Sequence, residues 1–237
     1  MSTRRHRLRS PGRTHNAAIV SAPELEGGMA PLLLCSASPR RRELLARVGL
    51  AFEVLAPHVD ESRIPGEPVR ALPLRLAQLK ARAGLAVHRA RGGADAIALA
   101  ADTVVSMGET ELGKPRDRVH ARELLAQLSG NEHVVTTGVC VLSPGGVEGS
   151  CTIDTKVRFR ALTDAQLDWL ANSGDGDDKA GGYAVQGLAG ALIDRLDGSF
   201  TNVIGLPMGE TLELLGCAGV QMPWATLGAA LRAGEAR

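Results

Sequence analysis

The chain has 237 residues, 44% of them apolar, 22% charged and only 3% aromatic, with a formal net charge of +1. That is the profile of a soluble globular protein large enough to bury a core, and its few aromatic rings exclude recognition of single-stranded nucleic acid by base stacking. The near-neutral total hides an asymmetry. Residues 1–29 hold five arginines against two glutamates, leaving 22 basic and 24 acidic residues for the rest, so the body of the chain is not a general binder of polyanions.

Four cysteines (Cys35, Cys140, Cys151, Cys217) occur without a CxxC pair or regular spacing, which points to reduced thiols in a cytoplasmic protein. No apolar stretch approaches the length needed to span a bilayer. Residues 1–29 lack apolar periodicity and a signal-peptide apolar block. A transit peptide and upstream sequence ahead of a start at Met29 are both compatible with this segment, and the second is favoured. Either way, it is expected to be a disordered extension.

From Pro31 the pattern alternates between strands and helices. "LLLCS" reads as a buried strand and "PRRRELLARVGL" as a short helix ending near Gly49. "AFEVL" reads as a second strand, followed by the polar loop "PHVDESRIPGEP" and a helix from about Pro73 to Ala90, with proline tolerated only in its first turn. "AIALAAD" and "TVVSM" predict a strand broken at Asp102, and "GETELGKP" a turn-rich excursion. Residues 117–128 predict an amphipathic helix with Val119, Leu124, Leu125 and Leu128 on its apolar face. "HVVTTGVCVLSP" and "SCTIDTKVRFRAL" are rich in β-branched residues and predict a hairpin across "GGVEG". A Thr-capped helix "TDAQLDWLAN", the loop "SGDGDDKAGGYAVQG", a strand and turn in "ALIDRLDGS" and a closing helix in "PMGETLELLGCAG" complete the chain. The sum is one α/β domain over residues 30–220, with a mixed sheet and a tail at 221–237.

Several features sit oddly in this scheme. With Ser38 as N-cap, Pro39 falls at N1, Arg40 at N2 and Arg41 at N3. Cations at that end cost about 0.3–1 kcal/mol each relative to anions, unless an anion binds to the free backbone N–H groups, the Ser hydroxyls and the guanidinium forks. A solvated basic turn and an anion site both remain open. Helical geometry places Arg41 with Leu44, Leu45 and Val48, leaving Arg40 and Arg42 on the flanks. Lys80 falls within the face of Leu76, Leu79, Ala83 and Val87, either snorkelling or aimed at a cleft. Asp102 follows a buried apolar run, where α/β folds place ligands, and reads equally as a turn residue or as a site carboxylate needing a partner. "GKP" and "DES" are weak signals, whereas Lys179 among glycines beside a buried-looking Tyr183 is a stronger one. The six histidines (His6, His15, His58, His88, His120, His133) show no ligand spacing and read as surface or core residues.

Taken in order, "SASPRR" (36–41), "DES" (60–62), "LAQLKARA" (76–83), "ADTVV" (101–105), "GKP" (113–115), "LSGNEHVVTTGV" (128–139), "DKAGGYAVQG" (178–187) and "GSFTNVIGLP" (198–207) resemble the motifs of the Maf family. These are nucleoside triphosphate pyrophosphatases once described as septum-formation inhibitors. The likeness spans about residues 31–216. It implies an α/β fold whose mixed, elongated sheet and flanking helices form two lobes around a nucleotide cleft, as in Maf and ITPase proteins. It implies cleavage of a nucleoside triphosphate to the monophosphate and pyrophosphate with Mg2+ or Mn2+. Carried over by position, Asp102 is the proton acceptor and a metal ligand, and Glu61 assists metal binding. Ser36, Arg40, Arg41, Lys80, Lys114 and Lys179 hold phosphates, with Lys114 also in the catalytic set. Arg40, Thr103 and Gln186 match positions associated with base choice, and "DKAGGYAVQG" resembles the branch acting on dTTP and UTP. Family habit adds a homodimer, while the near-neutral body and few aromatic rings set nucleic acid aside as a partner, and the lack of a long apolar stretch sets a membrane aside. The alternative is a nucleotide-binding regulator of cell division whose hydrolysis is incidental. This chain departs from the family in its long N-terminus and in "SGDGDD", where Glu-Pro usually precedes the "DKAG" aspartate, which leaves the shape of that loop open.

Overall fold

The computed structural model describes residues 30–225. The segment 1–29, expected to be disordered, and residues 226–237 of the expected tail lie outside the described residues. In chain order the elements are β1 (Leu32–Leu34), α1 (Pro39–Arg47), β2 (Glu53–Val54), α2 (Leu72–Ala90), β3 (Ile97–Met107), β4 (Thr110–Glu111), α3 (Arg118–Leu128), β5 (Glu132–Leu142), β6 (Glu148–Phe159), α4 (Asp164–Ser173), β7 (Ile193–Asp197), α5 (Phe200–Ile204) and α6 (Met208–Cys217). Short 3-10 turns at Ala180–Gly182 and Leu188–Leu192 interrupt the connection from α4 to β7.

Seven strands form one mixed sheet in the order β2-β1-β3-β5-β6-β7, with β4 folded back on β3. β1 runs parallel to β2 and β3, and the β3-β5-β6-β7 part is antiparallel. The apolar runs of β3 and β5 are covered on both faces, whereas β6 alternates between exposed and covered positions, as a strand with one wet face does. The expected hairpin is present, pairing Glu132 with Arg158 at one end and Leu142 with Glu148 at the other.

The two long strands span two cores. Ile97, Leu99, Ala101, Val139 and Val141 pack with α1 and α6 residues such as Leu45 and Leu215. Further along the same strands, Val105 and Val135 pack with Leu124 and Leu125 of α3 and Leu167 and Leu170 of α4. α2 covers the opposite face through Ala77, Ala81 and Leu85. It comes very close: a Cβ on Gly138 would lie 2.3 Å from the Leu74 nitrogen, and one on Gly84 would lie 2.2 Å from Cys35 Sγ. The junction between the two cores falls at Asp102 and Thr103 of β3, opposite Gly138 and Thr137 of β5.

Four local expectations need correction. β3 is not broken at Asp102 but continues through it. A side-chain charge leaves the backbone free to pair, and Lys80 Nζ, 2.7 Å from the carboxylate, supplies the missing partner. Val119 is 69% exposed, and Ala121 takes its place on the buried face of α3 with Leu124, Leu125 and Leu128, a true i, i+3, i+4, i+7 set. On α2 the buried face is Leu72, Leu76, Ala77, Ala81, Gly84 and Leu85, with Leu79 turned outward. Small residues define that face because the helix lies so close to the sheet. "AFEVL" yields only the exposed two-residue edge strand β2.

Candidate active site

A cavity of about 690 Å3 opens at the junction of the two cores. Ser36, Arg40, Arg41, Glu61, Lys80, Asp102, Thr103, Lys114, Lys179 and Gln186 all line it, so the structure brings together every candidate taken from the sequence. The α1 start is built as read: Ser38 caps the helix by accepting from the Arg41 amide, and Pro39 occupies the first turn. The three arginines then separate, since Arg41 is buried, Arg40 is partly covered and Arg42 points to solvent.

Arg41 is fixed by three bonds. Its Nε donates to the Gly205 carbonyl at 2.8 Å, Nη1 to Ser36 Oγ at 3.0 Å and Nη2 to Thr103 Oγ1 at 3.1 Å. Burial lowers its pKa, partly opposed by the charge of Asp102. A guanidinium has five N–H donors, so a buried one tied by three bonds to uncharged groups is placed to receive an anion. Thr103 Oγ1 also lies 2.8 Å from Thr137 Oγ1, which joins the floor of the cleft into one hydrogen-bonded row from β5 through β3 to α1.

On the α2 side, Lys80 Nζ lies 2.7 Å from Asp102 Oδ1 and 2.7 Å from Glu61 Oε1. Lys80 and Asp102 are 12% and 14% exposed and Glu61 is 62% exposed. Two carboxylates therefore converge on one cationic nitrogen. Across the cleft, Asp178 pairs with Arg40 Nη1 at 2.9 Å and with Lys179 Nζ at 2.6 Å. Burial works to raise the Asp178 pKa, but the bonds from Lys179 and Arg40 outweigh it and hold the carboxyl at about 2. Lys179 also donates to the Asp175 carbonyl, and Asp175 Oδ2 accepts from the Leu188 amide at 3.0 Å. The "SGDGDD" departure thus builds its own brace for the loop that presents Gln186. Lys114 and Gln186 are exposed at the cleft wall.

Asp175, Asp178, Thr137 and Gly205 were not singled out from the sequence. The Arg40–Asp178 contact joins residues 138 apart, and no local pattern announces it. Gly205, at φ +120, gave a usable signal, because a glycine followed by Leu-Pro marks a turn whose carbonyl is free to bond. Of the histidines, His133 is core, at 1% exposed, and His58 is a surface residue on the cleft wall. His6 and His15 lie outside the described residues.

Arg40, Arg41, Lys80, Lys114 and Lys179 stand against Glu61, Asp102, Asp175 and Asp178 in one cleft, which defines the class as an α/β protein whose cleft sets cations from several segments against carboxylates. The family model of the Maf-like proteins matches residues 31–218, and the chain belongs to that family. The dTTP/UTP pyrophosphatase of Anaeromyxobacter dehalogenans (strain 2CP-C) is 48% identical over 200 residues, covering 83% of this chain and 98% of its own. Those of Myxococcus xanthus (strain DK1622) and Deinococcus radiodurans are 47% and 48% identical, covering 81% and 80% of this chain and 95% and 93% of theirs.

Proposed function

We propose that the protein hydrolyses nucleoside triphosphates, dTTP and UTP foremost, to the nucleoside monophosphate and pyrophosphate, and so clears them from the nucleotide pool. The observation that carries this reading is the Asp102–Lys80–Glu61 cluster, set beside a buried Arg41 whose side chain, among the described residues, bonds neutral groups. Close relatives named dTTP/UTP pyrophosphatase support it over nearly their whole length.

In this reading the triphosphate lies across the α1 start, with Ser36, Arg40, Arg41, Lys80, Lys114 and Lys179 offsetting the charge on its oxygens. Asp102 accepts a proton from the attacking water. Water adds at the α-phosphorus and the α–β anhydride oxygen leaves with pyrophosphate, so the bond made and the bond broken share one phosphorus. No covalent intermediate is needed, and the cleft offers cations and acids rather than an activated nucleophile. Thr103 and Gln186, with Arg40, face the base.

Glu61 and Asp102 also fit a divalent cation. They are hard oxygen donors that converge on the Lys80 ammonium, and since the described residues hold no group of three His, Cys, Asp or Glu able to bind a metal by themselves, substrate oxygens would have to complete the donor set. Two carboxylates plus substrate oxygens and water are the usual donor set for Mg2+ or Mn2+. When bound, the ion supplies charge stabilisation on the phosphoryl oxygens and orients the water.

Asp102→Asn is expected to lower pyrophosphate release by about 100-fold or more, while triphosphate binding measured by calorimetry stays near wild type. Unchanged turnover would remove Asp102 from the catalytic role. A panel of canonical and modified triphosphates, each with Mg2+ and with Mn2+, orders the substrates. We place the protein in the cytoplasm, where triphosphates are made and where its four free cysteines stay reduced. Among the described residues no helix is long and apolar enough to cross a membrane. The assembly we propose is a homodimer, checked by light scattering.

A further inference from the structure

Glu61 reaches the cleft from residues 55–71, a segment with neither strand nor helix. Between Ala56 and Arg63 it makes no backbone–backbone hydrogen bond among the described residues. The Glu61 side chain is 62% exposed, so packing does not set its position. Something else must hold the carboxylate against Lys80 and Asp102.

The neighbouring side chains show what does. Glu67, only 9% exposed at its side chain, receives a two-pronged bond from Arg75 of α2: Nε to Oε1 at 2.6 Å and Nη2 to Oε2 at 2.9 Å. The same Nη2 donates to the Ser62 carbonyl at 2.9 Å, one residue beyond Glu61. Glu67 Oε2 also accepts from the Ile64 amide at 3.2 Å, and the Glu67 carbonyl accepts from Arg63 Nε at 2.8 Å. The Ser62 amide is tied to Asp60 Oδ1 at 2.9 Å. The C-terminal side of Glu61 is therefore pinned to the helix that carries Lys80, five residues after Arg75, and the Asp60–Ser62 turn closes the loop around Glu61. A planar guanidinium fork holds a carboxylate in one geometry, which a lysine does not do.

We propose that the Glu67–Arg75 pair is a positioning device: it fixes the backbone at Ser62 so that the Glu61 carboxylate converges with Asp102 beside Lys80, where the two would act as ligands once substrate brings a divalent cation. The inference rests on the metal reading above and assigns Glu67 and Arg75 no contact with nucleotide. Partners that orient ligating carboxylates typically cost 10- to 100-fold in metal affinity when removed. That effect separates this role from general support of the fold.

The test is a Mn2+ titration of the full chain saturated with α,β-imido-UTP, which cannot be cleaved at the relevant bond, with free Mn2+ read by electron paramagnetic resonance. Arg75→Met is expected to weaken Mn2+ binding by about 10-fold or more, and Arg75→Lys by less, with analogue affinity in the absence of metal unchanged within about twofold. Should Arg75→Met lose its cooperative thermal transition, Glu67→Gln, which keeps the shape, carries the same expectation. Wild-type Mn2+ affinity in a folded Arg75 or Glu67 variant overturns the proposal. Glu61→Gln tells the two failures apart. If it weakens Mn2+ binding while the Arg75 and Glu67 variants do not, only the positioning role falls. If it does not, the metal reading at Glu61 falls with it.

Discussion

Asp178 occupies two of the cleft's cations. It bonds Arg40 from α1 and its own neighbour Lys179, and a triphosphate taking those cations must compete with it. Its side chain is 64% exposed, and ion pairs so exposed are worth at most about 1 kcal/mol, roughly fivefold in binding. Asp178→Asn is therefore expected to lower the KM for UTP by about two- to fivefold at low ionic strength, an effect that shrinks as salt screens the cations. A raised KM in initial-rate measurements would show instead that Asp178 orients Arg40 for the substrate. The pH at which the contact is lost follows from its sign. A carboxyl depressed to about 2 is ionised throughout the neutral range, so its contribution is complete above the ordinary aspartate value of 3.8 and lost only as pH falls from there through about 2.

α2 and β5 set the distance across which Lys80 meets Asp102. The start of α2 rests on Gly138, which pairs with Asp102 in the sheet, and a Cβ there would strike backbone atoms of Pro73 and Leu74 at 2.3–2.5 Å. Backbone cannot rotate away as a side chain can, so Gly138→Ala must push the helix off the sheet. Overpacking of this kind costs about 1–3 kcal/mol, and it also moves Lys80, so pyrophosphate release should fall together with stability to urea. Gly209→Ala and Gly216→Ala, on open faces of α6 with nothing within 4 Å, are the contrast: each should stabilise by about 0.5–1 kcal/mol at wild-type rate. Equal effects at Gly138 and Gly209 would remove the close approach as the cause. The same geometry explains what was legible beforehand. The β5–β6 hairpin and the Ser38 cap are local patterns, and both stand as read. The buried face of α2 is hard to read in sequence because Ala77, Ala81 and Gly84 carry little apolar signal, yet their smallness is what lets the helix approach. Asp102 reads as a strand break in sequence because its partner, Lys80, lies on another element. Arg75 with Glu67, and Arg40 with Asp178, escaped notice for a related reason: a pair only acquires meaning once folding has brought its members together.

At the scale of the whole molecule, two cores share the long strands β3 and β5, and the second one holds a buried ionisable cluster. His133, at the start of β5, is 1% exposed. It stacks on Phe159 at 5.9 Å between centroids and meets the Tyr183 ring edge-on at 5.4 Å. Its Nε2 lies 2.7 Å from Tyr183 Oη, and its Nδ1 has no partner among the described residues. Burial alone pushes the imidazole down to about 4 from 6.5. In the unfolded chain the ring takes up a proton near 6.5, whereas the folded chain refuses it until about 4. The unfolded state thus binds more protons across that interval, and stability contributed by neutral His133 is fully present above 6.5 and lost as pH falls to about 4. At 1.36 kcal/mol per pKa unit the loss is about 3 kcal/mol, a large fraction of the total stability of a typical domain. His133→Gln, which retains a group able to bond Tyr183 Oη, should be less stable than wild type at pH 7 because it sacrifices ring stacking. Between pH 6.5 and 4 it should lose about 3 kcal/mol less than wild type, while carboxylates titrating in both proteins cancel in the difference. Urea unfolding at half-unit pH intervals measures that difference directly. Parallel curves for the two proteins would mean that the buried imidazole already takes its proton in the folded state, and that the second core opens to admit it.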